Sequence, residues 1–108
     1  FLIKNSSKIN DTDKNKWTAL SWAIQKKQYD ISKVLIESGA DINHKDNEGT
    51  SLMHYAIFSG SEKIIELFIS SGVNLKTKDQ YGLTPLVYAL KAKNKIIINM
   101  LKSAGGRY

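Results

Sequence analysis

Two histidines, His44 and His54, are the residues best suited to acid–base chemistry or metal binding in this chain. A general base needs a nucleophile and an orienting group within hydrogen-bonding distance, and a metal site needs several convergent ligands. The chain has no cysteine, and its carboxylates are scattered along the sequence. No third ligand stands at a recognisable spacing from the histidines. We therefore predict no catalytic residue, no metal site and no cofactor.

Motifs that bind phosphate or catalytic zinc are also missing. The sequence contains no G-x-G-x-x-G, no G-x-x-x-x-G-K-[ST] and no H-E-x-x-H. Gly105 and Gly106 are expected to end a helix rather than to cradle a phosphate. The prediction that follows is a protein that is not an enzyme.

Composition narrows the remaining classes of protein. A chain of 108 residues fits one domain, and 42% hydrophobic with 24% charged residues is ordinary for a globular protein. No apolar run approaches the roughly 20 residues of a membrane span, and no basic-then-apolar leader opens the chain. An intracellular protein is the expectation. The net charge is +6, and no acidic residue occurs from Gln80 to Tyr108.

The elements that would position functional residues recur along the chain. Asp13, Asp46 and Asp79 are each 33 residues apart, and a fixed period in this range is typical of stacked repeats. Each unit opens with a turn-prone segment and continues with two short helices. Hydroxyls can cap the first helices, and glycines can end the second helices. The residues in register at these positions are Thr18, Ser51 and Thr84 for the caps, and Gly39, Gly72 and Gly105 for the ends.

The unit resembles the ankyrin repeat, whose pattern is D-x-x-G-x-T-P-L-H-x-A, then two helices, then G-A-x-x-N. Here it stands as DKNKWTALSWAI, DNEGTSLMHYAI and DQYGLTPLVYAL, with SGADINHKD and SGVNLKTKD as trailing loops. The resemblance covers essentially the whole chain. It implies an all-α ankyrin-repeat solenoid of helix-turn-helix units with hairpin or loop fingers.

The same resemblance divides the chain into four parts. Residues 1–12 would be the C-terminal part of a preceding repeat, because Ile9 and Asn10 match Ile42 and Asn43. Residues 13–45 and 46–78 would be repeats, and residues 79–108 a C-terminal capping repeat. Lys102 stands where the earlier repeats have isoleucine, so we expect its face of the stack to meet solvent.

The resemblance gives His54 a structural role. In the family, the hydroxyl and histidine of T-P-L-H form hydrogen bonds that tie the turn to the first helix. Ser51 and His54 keep this pair, whereas Ser21 and Val87 stand in the histidine position of the other units, where we expect the pair to be lost. Lysines replace three glycines of the pattern, at Lys16, Lys27 and Lys93.

Partners of ankyrin repeats usually bind the fingertips and the exposed face of the first helices. Mapped onto this sequence, that face predicts the partner-binding residues Trp17, Lys26, Lys45, Phe58, Lys78, Tyr81, Leu83 and Lys91. The apolar members are expected to be exposed, and aromatic side chains ringed by lysines are typical of an interface centre. The prediction is a protein–protein interaction module within a larger ankyrin-repeat protein, with a protein partner, preferably an acidic one.

A second interpretation stays open, in which the array binds an anionic ligand such as nucleic acid or acidic lipid headgroups. The four lysines would contact phosphates, and Trp17 or Tyr81 would stack on bases. Arg107 is the single arginine of the chain, which counts against this interpretation because arginine is best suited to bidentate phosphate contacts.

Two more expectations concern apolar side chains. The column Trp22, Tyr55 and Tyr88 is expected to pack in the core, with the tyrosine hydroxyls reaching solvent. Ile96 is in register with Asp30 and Lys63, so we expect it to be exposed.

Overall fold

The computed structural model describes residues 9–106, so most of the predicted partial repeat at residues 1–12 lies outside the described residues. Six helices follow one another in three pairs: α1 (Ala19–Gln25) and α2 (Tyr29–Glu37), α3 (Leu52–Ser59) and α4 (Glu62–Ser70), and α5 (Pro85–Ala92) and α6 (Lys95–Ser103). No strand is formed between residues 9 and 106, although an isolated antiparallel bridge pairs Lys45 with Ser51. The all-α prediction is confirmed.

The helices form two rows. The first helices of the pairs, α1, α3 and α5, pack side by side, and the second helices, α2, α4 and α6, form the other row against them. The buried core lies between the rows and includes Leu20, Met53, Phe68, Leu86 and Leu101. Because each pair packs chiefly on its neighbours, the molecule is an elongated stack of 39 × 26 × 21 Å. No helix among the described residues is long and apolar enough to cross a membrane.

The first helices begin where the hydroxyl positions predict. Thr18, Ser51 and Thr84 are the N-cap residues of α1, α3 and α5. The Thr18 and Ser51 oxygens each accept the backbone N–H three residues later, at 3.3 Å. The expected loss of the reciprocal bond at Ser21 is wrong, because the Ser21 hydroxyl accepts the Thr18 N–H at 3.1 Å. The Ser21 hydroxyl thus accepts the N-cap N–H of α1, as the Nδ1 atom of His54 accepts the N-cap N–H of α3 in the next repeat.

The predicted glycines lie two residues after the last residue of each second helix, and each adopts a left-handed backbone with φ between +82° and +102°. Three lysines also adopt this conformation: φ is 61° at Lys16 and 58° at Lys27 and at Lys93. Gly60, the repeat equivalent of Lys27 and Lys93, has φ +71°. The lysines therefore keep the glycine geometry, although a Cβ in the left-handed region costs roughly 1–2 kcal/mol.

Equivalent asparagines connect consecutive loops. The Asn10 Oδ1 accepts the backbone N–H of Asp41 at 2.8 Å, and the Asn43 Oδ1 accepts the N–H of Asn74 at 2.8 Å. Both bonds bridge 31 residues of sequence. Asn10 thus contacts the first repeat as Asn43 contacts the second.

Candidate functional site

His54 is fully buried and both of its ring nitrogens are engaged. Its Nδ1 lies 2.6 Å from the Ser51 hydroxyl, and its Nε2 lies 2.8 Å from the Leu83 carbonyl oxygen of the next repeat. Burial lowers the pKa of His54 further than the Leu83 hydrogen bond raises it. A neutral ring accepts at Nδ1 and donates at Nε2, so neither nitrogen is open to a substrate. The structural role predicted for His54 is confirmed.

His44 also makes a structural contact, since its Nε2 lies 2.6 Å from the Lys16 carbonyl oxygen. Within residues 9–106, no group of three or more histidine, aspartate and glutamate side chains is placed to hold a metal ion.

The segments before the first helices, residues 13–17, 46–50 and 79–83, are here called the fingers. Each finger is built around its first residue, an aspartate at position 13, 46 or 79. The backbone N–H of each aspartate donates to the carbonyl oxygen four residues later at 3.0 Å. One carboxylate oxygen accepts the N–H groups two and four residues later at 2.9 and 3.0 Å. The aspartate thereby folds the finger on itself.

The second carboxylate oxygen of each aspartate accepts from an aromatic side chain nine residues later, on the first helix. The Trp22 Nε1–H donates to Asp13 at 3.3 Å, and the Tyr55 and Tyr88 hydroxyls donate to Asp46 and Asp79. Each of these two hydroxyls therefore has a carboxylate partner within the chain.

Titration behaviour follows from these bonds. Burial and the bond to Asp46 raise the pKa of Tyr55, and the bond to Asp79, with burial, raises the pKa of Tyr88 to about 12. The hydrogen bond from the Trp17 N–H lowers the pKa of Asp13. Burial alone would raise the pKa of Asp79, but the bonds from Tyr88 and two backbone amides outweigh it and lower this pKa. Near neutral pH the tyrosines are therefore fixed donors to the fingers.

The rings of the first helices and of the first finger form a continuous row, here called the aromatic ladder. Ring centroids lie 4.7 Å apart for Trp22 and Trp17, 5.2 Å for Trp17 and Tyr55, 6.1 Å for Tyr55 and Phe58, and 5.0 Å for Phe58 and Tyr88. The pairs are tilted or edge-on, the arrangements that aromatic rings favour. The ladder spans all three repeats.

Exposure separates the predicted apolar site residues into two groups. Phe58 and Tyr81 are 55% and 73% exposed, as expected. Trp17 and Leu83 are half-buried, so the expectation that they are exposed is wrong for both. The Trp17 ring is covered by Trp22 and Tyr55. Leu83 is held at the interface between repeats, where its carbonyl oxygen accepts from His54.

The expectation of core packing holds for Tyr55 and Tyr88, which pack against the core while staying partly exposed, and it is wrong for Trp22. Trp22 is 47% exposed, and the two tyrosines are partly exposed. The signal in the sequence that could have found them is the constant spacing of nine residues between each finger aspartate and a polar-tipped aromatic residue.

The four predicted lysines are all exposed. Lys26 is the C-cap of α1, and Lys91 lies in the last turn of α5. Lys45 and Lys78 are connected directly, with the Lys45 ammonium donating to the Lys78 carbonyl oxygen at 3.0 Å.

Comparison with known proteins agrees with the repeat architecture. A protein-family model described as ankyrin repeats (3 copies) matches residues 1–46 and 41–107. The two matched segments overlap and together span nearly the whole chain. A search of curated proteins gives no match.

Proposed function

The chain belongs to the ankyrin-repeat family, whose repeats generally serve as protein-interaction modules, and we propose that it binds a protein partner across the aromatic ladder and the third finger. The observation that carries this proposal is the unbroken row of rings over three repeats. Trp22, Phe58 and the finger residue Tyr81 keep about half or more of their surface in water.

The exposed rings are well suited to anchor a partner. Aromatic side chains dominate the energetics of protein interfaces, and apolar area removed from water contributes about 25 cal/mol per Å². Phe58 has ring contacts on two sides, with Tyr55 and Tyr88, and is still more than half exposed to solvent. A partner side chain placed there would complete a ring cluster that the chain leaves open.

The ladder is also organised in advance of binding. Trp22, Tyr55 and Tyr88 are each held by a hydrogen bond to a finger aspartate, so their rotamers are constrained in the free protein. Ordering a side chain on binding costs about 0.5–1.5 kcal/mol. Rings that are already fixed avoid much of this cost.

The rim lysines bear on the charge of the partner. Lys26, Lys45, Lys78 and Lys91 are exposed and are assigned to the rim of this face in the proposal, and the chain carries a net charge of +6. Charges at a rim mainly accelerate encounter with a complementary surface. The proposed partner therefore carries acidic groups beside an apolar anchor. An intracellular setting within a larger protein, expected from the sequence, remains part of this proposal.

Photo-crosslinking tests where partners bind. A photoreactive phenylalanine analogue replaces Phe58 in one protein and Lys33, an exposed residue of α2 in the other row, in the control protein. Both are irradiated in a lysate of the source cells, with and without nuclease, and crosslinked proteins are identified by mass spectrometry. We expect position 58 to crosslink to proteins whether or not nuclease is added. We expect position 33 to crosslink to none of these same proteins. Crosslinks from position 33 alone would contradict the proposed face.

The identified partner then allows a mutational ranking. Phe58→Ala and Tyr81→Ala are each expected to weaken binding by about 2 kcal/mol, roughly 30-fold in Kd. Tyr81→Ala should leave the melting temperature unchanged, whereas Phe58→Ala should lower it slightly because the ring contacts with Tyr55 and Tyr88 are lost. Lys26→Glu with Lys91→Glu should slow association more modestly. The anionic-ligand interpretation requires the opposite ranking, with lysine substitutions dominant and affinity falling steeply with salt. Trp17 is unsuitable for this test because its ring is partly buried.

A further inference from the structure

A second surface lies on the row of second helices, away from the first-helix row that carries the ladder. A groove of about 530 Å³ runs between α4 and α6, here called the α4–α6 groove. One wall is formed by Glu62, Glu66 and Ile69 of α4, and the other by Ile96, Met100 and Ser103 of α6. Each set has the spacing i, i+4, i+7, so each wall is one face of a helix.

The neighbouring groove of the same row provides an internal comparison. The groove between α2 and α4 is lined by Tyr29, Lys33 and Lys63, among others. Lys63 is the repeat equivalent of Ile96, and Asp30 holds that position in the first repeat. The third repeat therefore presents isoleucine where the other two present charge, and this side chain is 56% exposed. Its packing within the chain accounts for less than half of its surface.

The charge of the α4–α6 groove is opposite to that of the molecule. The chain has 16 lysines and arginines against 10 acidic residues. The charged residues that line this groove are nevertheless Glu62 and Glu66, and the lysines of α6, Lys95 and Lys102, do not line it. An acidic wall facing an apolar wall selects an occupant that is basic on one side and apolar on the other.

We propose that the α4–α6 groove binds a basic amphipathic helix of a second protein. Apolar side chains three and four residues apart would cover Ile69, Ile96 and Met100, and lysine or arginine side chains on one flank would pair with Glu62 and Glu66. A helix fits this groove because the two walls are themselves neighbouring helices, whose side-chain ridges accept a third helix. This binding is independent of the function proposed for the aromatic ladder.

A fluorescent peptide of about 14 residues, roughly 21 Å of helix, is the probe. It carries leucines at i, i+4 and i+7 and lysines on the flanks. One control peptide has glutamate in place of every lysine, and another has the same composition in a scrambled order. Anisotropy with the whole chain is expected to show binding of the amphipathic lysine peptide about tenfold or more tighter than either control. Equal binding of the scrambled peptide would mean general electrostatic attraction and would overturn the proposal.

Variants locate the binding. Ile96→Lys installs the residue of the second repeat, so the fold should tolerate it, and it is expected to weaken the lysine peptide about tenfold or more. Glu62→Gln with Glu66→Gln keeps the size of both side chains and should weaken it severalfold. Phe58→Ala, on the ladder, should leave it unchanged. Unaltered affinity in the Ile96 variant and in the glutamate double variant refutes the proposal. Concentration-dependent self-association that Ile96→Lys abolishes would assign the groove to a second copy of the chain instead.

Discussion

Replacing Lys27 and Lys93 with glycine is expected to stabilise the protein. Both lysines have φ 58°, and their backbone N–H groups donate to carbonyl oxygens three residues earlier at 2.9 and 3.1 Å. Gly60 makes the same bond at 3.1 Å in the second repeat. Glycine therefore fits the local backbone without any rearrangement, and what it removes is the contact of a Cβ with its own main chain.

The size of the gain follows from two opposing effects. The left-handed conformation costs a residue with a Cβ roughly 1–2 kcal/mol. Glycine in turn lowers the free energy of unfolding by about 0.4–1 kcal/mol, because it has more conformational freedom in the unfolded chain. The net gain is about 0.5–1 kcal/mol at each site. The two sites lie two repeats apart, so their effects should add to about 1–2 kcal/mol in the double variant.

Urea denaturation followed by circular dichroism measures this gain. With a slope of about 2 kcal/mol per molar urea, the double variant should unfold at roughly 0.5–1 M more urea than the parent. Lys27→Ala and Lys93→Ala are the matched controls, because alanine removes the lysine side chain but keeps the Cβ. These variants should show no gain. An equal gain from alanine and glycine, or a loss from glycine, would refute the assignment of a backbone cost to these lysines.

Three other changes have defined outcomes. Gly72 has φ +82°, and a Cβ added there would meet no other group within 4 Å. Gly72→Val should therefore lower the free energy of unfolding by about 1 kcal/mol or more relative to the parent, for conformational reasons alone. Urea denaturation measures this loss, and Gly72→Ala is the comparison variant without β-branching. Burial holds the pKa of His54 below 6.5, so the unfolded chain binds a proton first as pH falls. The free energy of unfolding should therefore decrease below about pH 6.5, and His54→Gln should flatten this part of a denaturation series. Asp79→Asn should lower the pKa of Tyr88 from about 12 toward 10.0. In a pH titration, tyrosinate absorbance should then rise at lower pH than in the parent, and Tyr88→Phe should remove this difference.

The sequence was sufficient to predict the features that depend on backbone geometry within one repeat. A hydroxyl at a helix start and a glycine at a helix end act on main-chain groups only a few residues away. Thr18 and Gly72 could therefore be placed from the 33-residue register alone. The fold class followed from the resemblance of the three units to the ankyrin repeat, whose units stack on one another.

The features that were missed depend on distances between repeats or on the atoms available at a position. The family pattern names histidine, but the capping bond needs only a polar atom of sufficient reach, and Ser21 supplies one. Trp17 was expected to be exposed, but its ring is covered by Trp22 and by Tyr55 of the next repeat. The register does not show these contacts. A register states which residues are equivalent, not how closely their side chains approach across the stack.

The pair formed by Trp17 and Trp22 has an optical consequence. These are the two tryptophans of the chain, and both lie in the first complete repeat with their rings 4.7 Å apart. Tryptophan emission therefore reports on the first complete repeat, whereas far-ultraviolet circular dichroism averages over all six described helices. An emission change at lower denaturant than the dichroism change would show the first repeat separating before the others, which a single cooperative transition forbids. A ligand that covers the whole ladder should alter this emission, and one confined to the third finger should leave it unchanged.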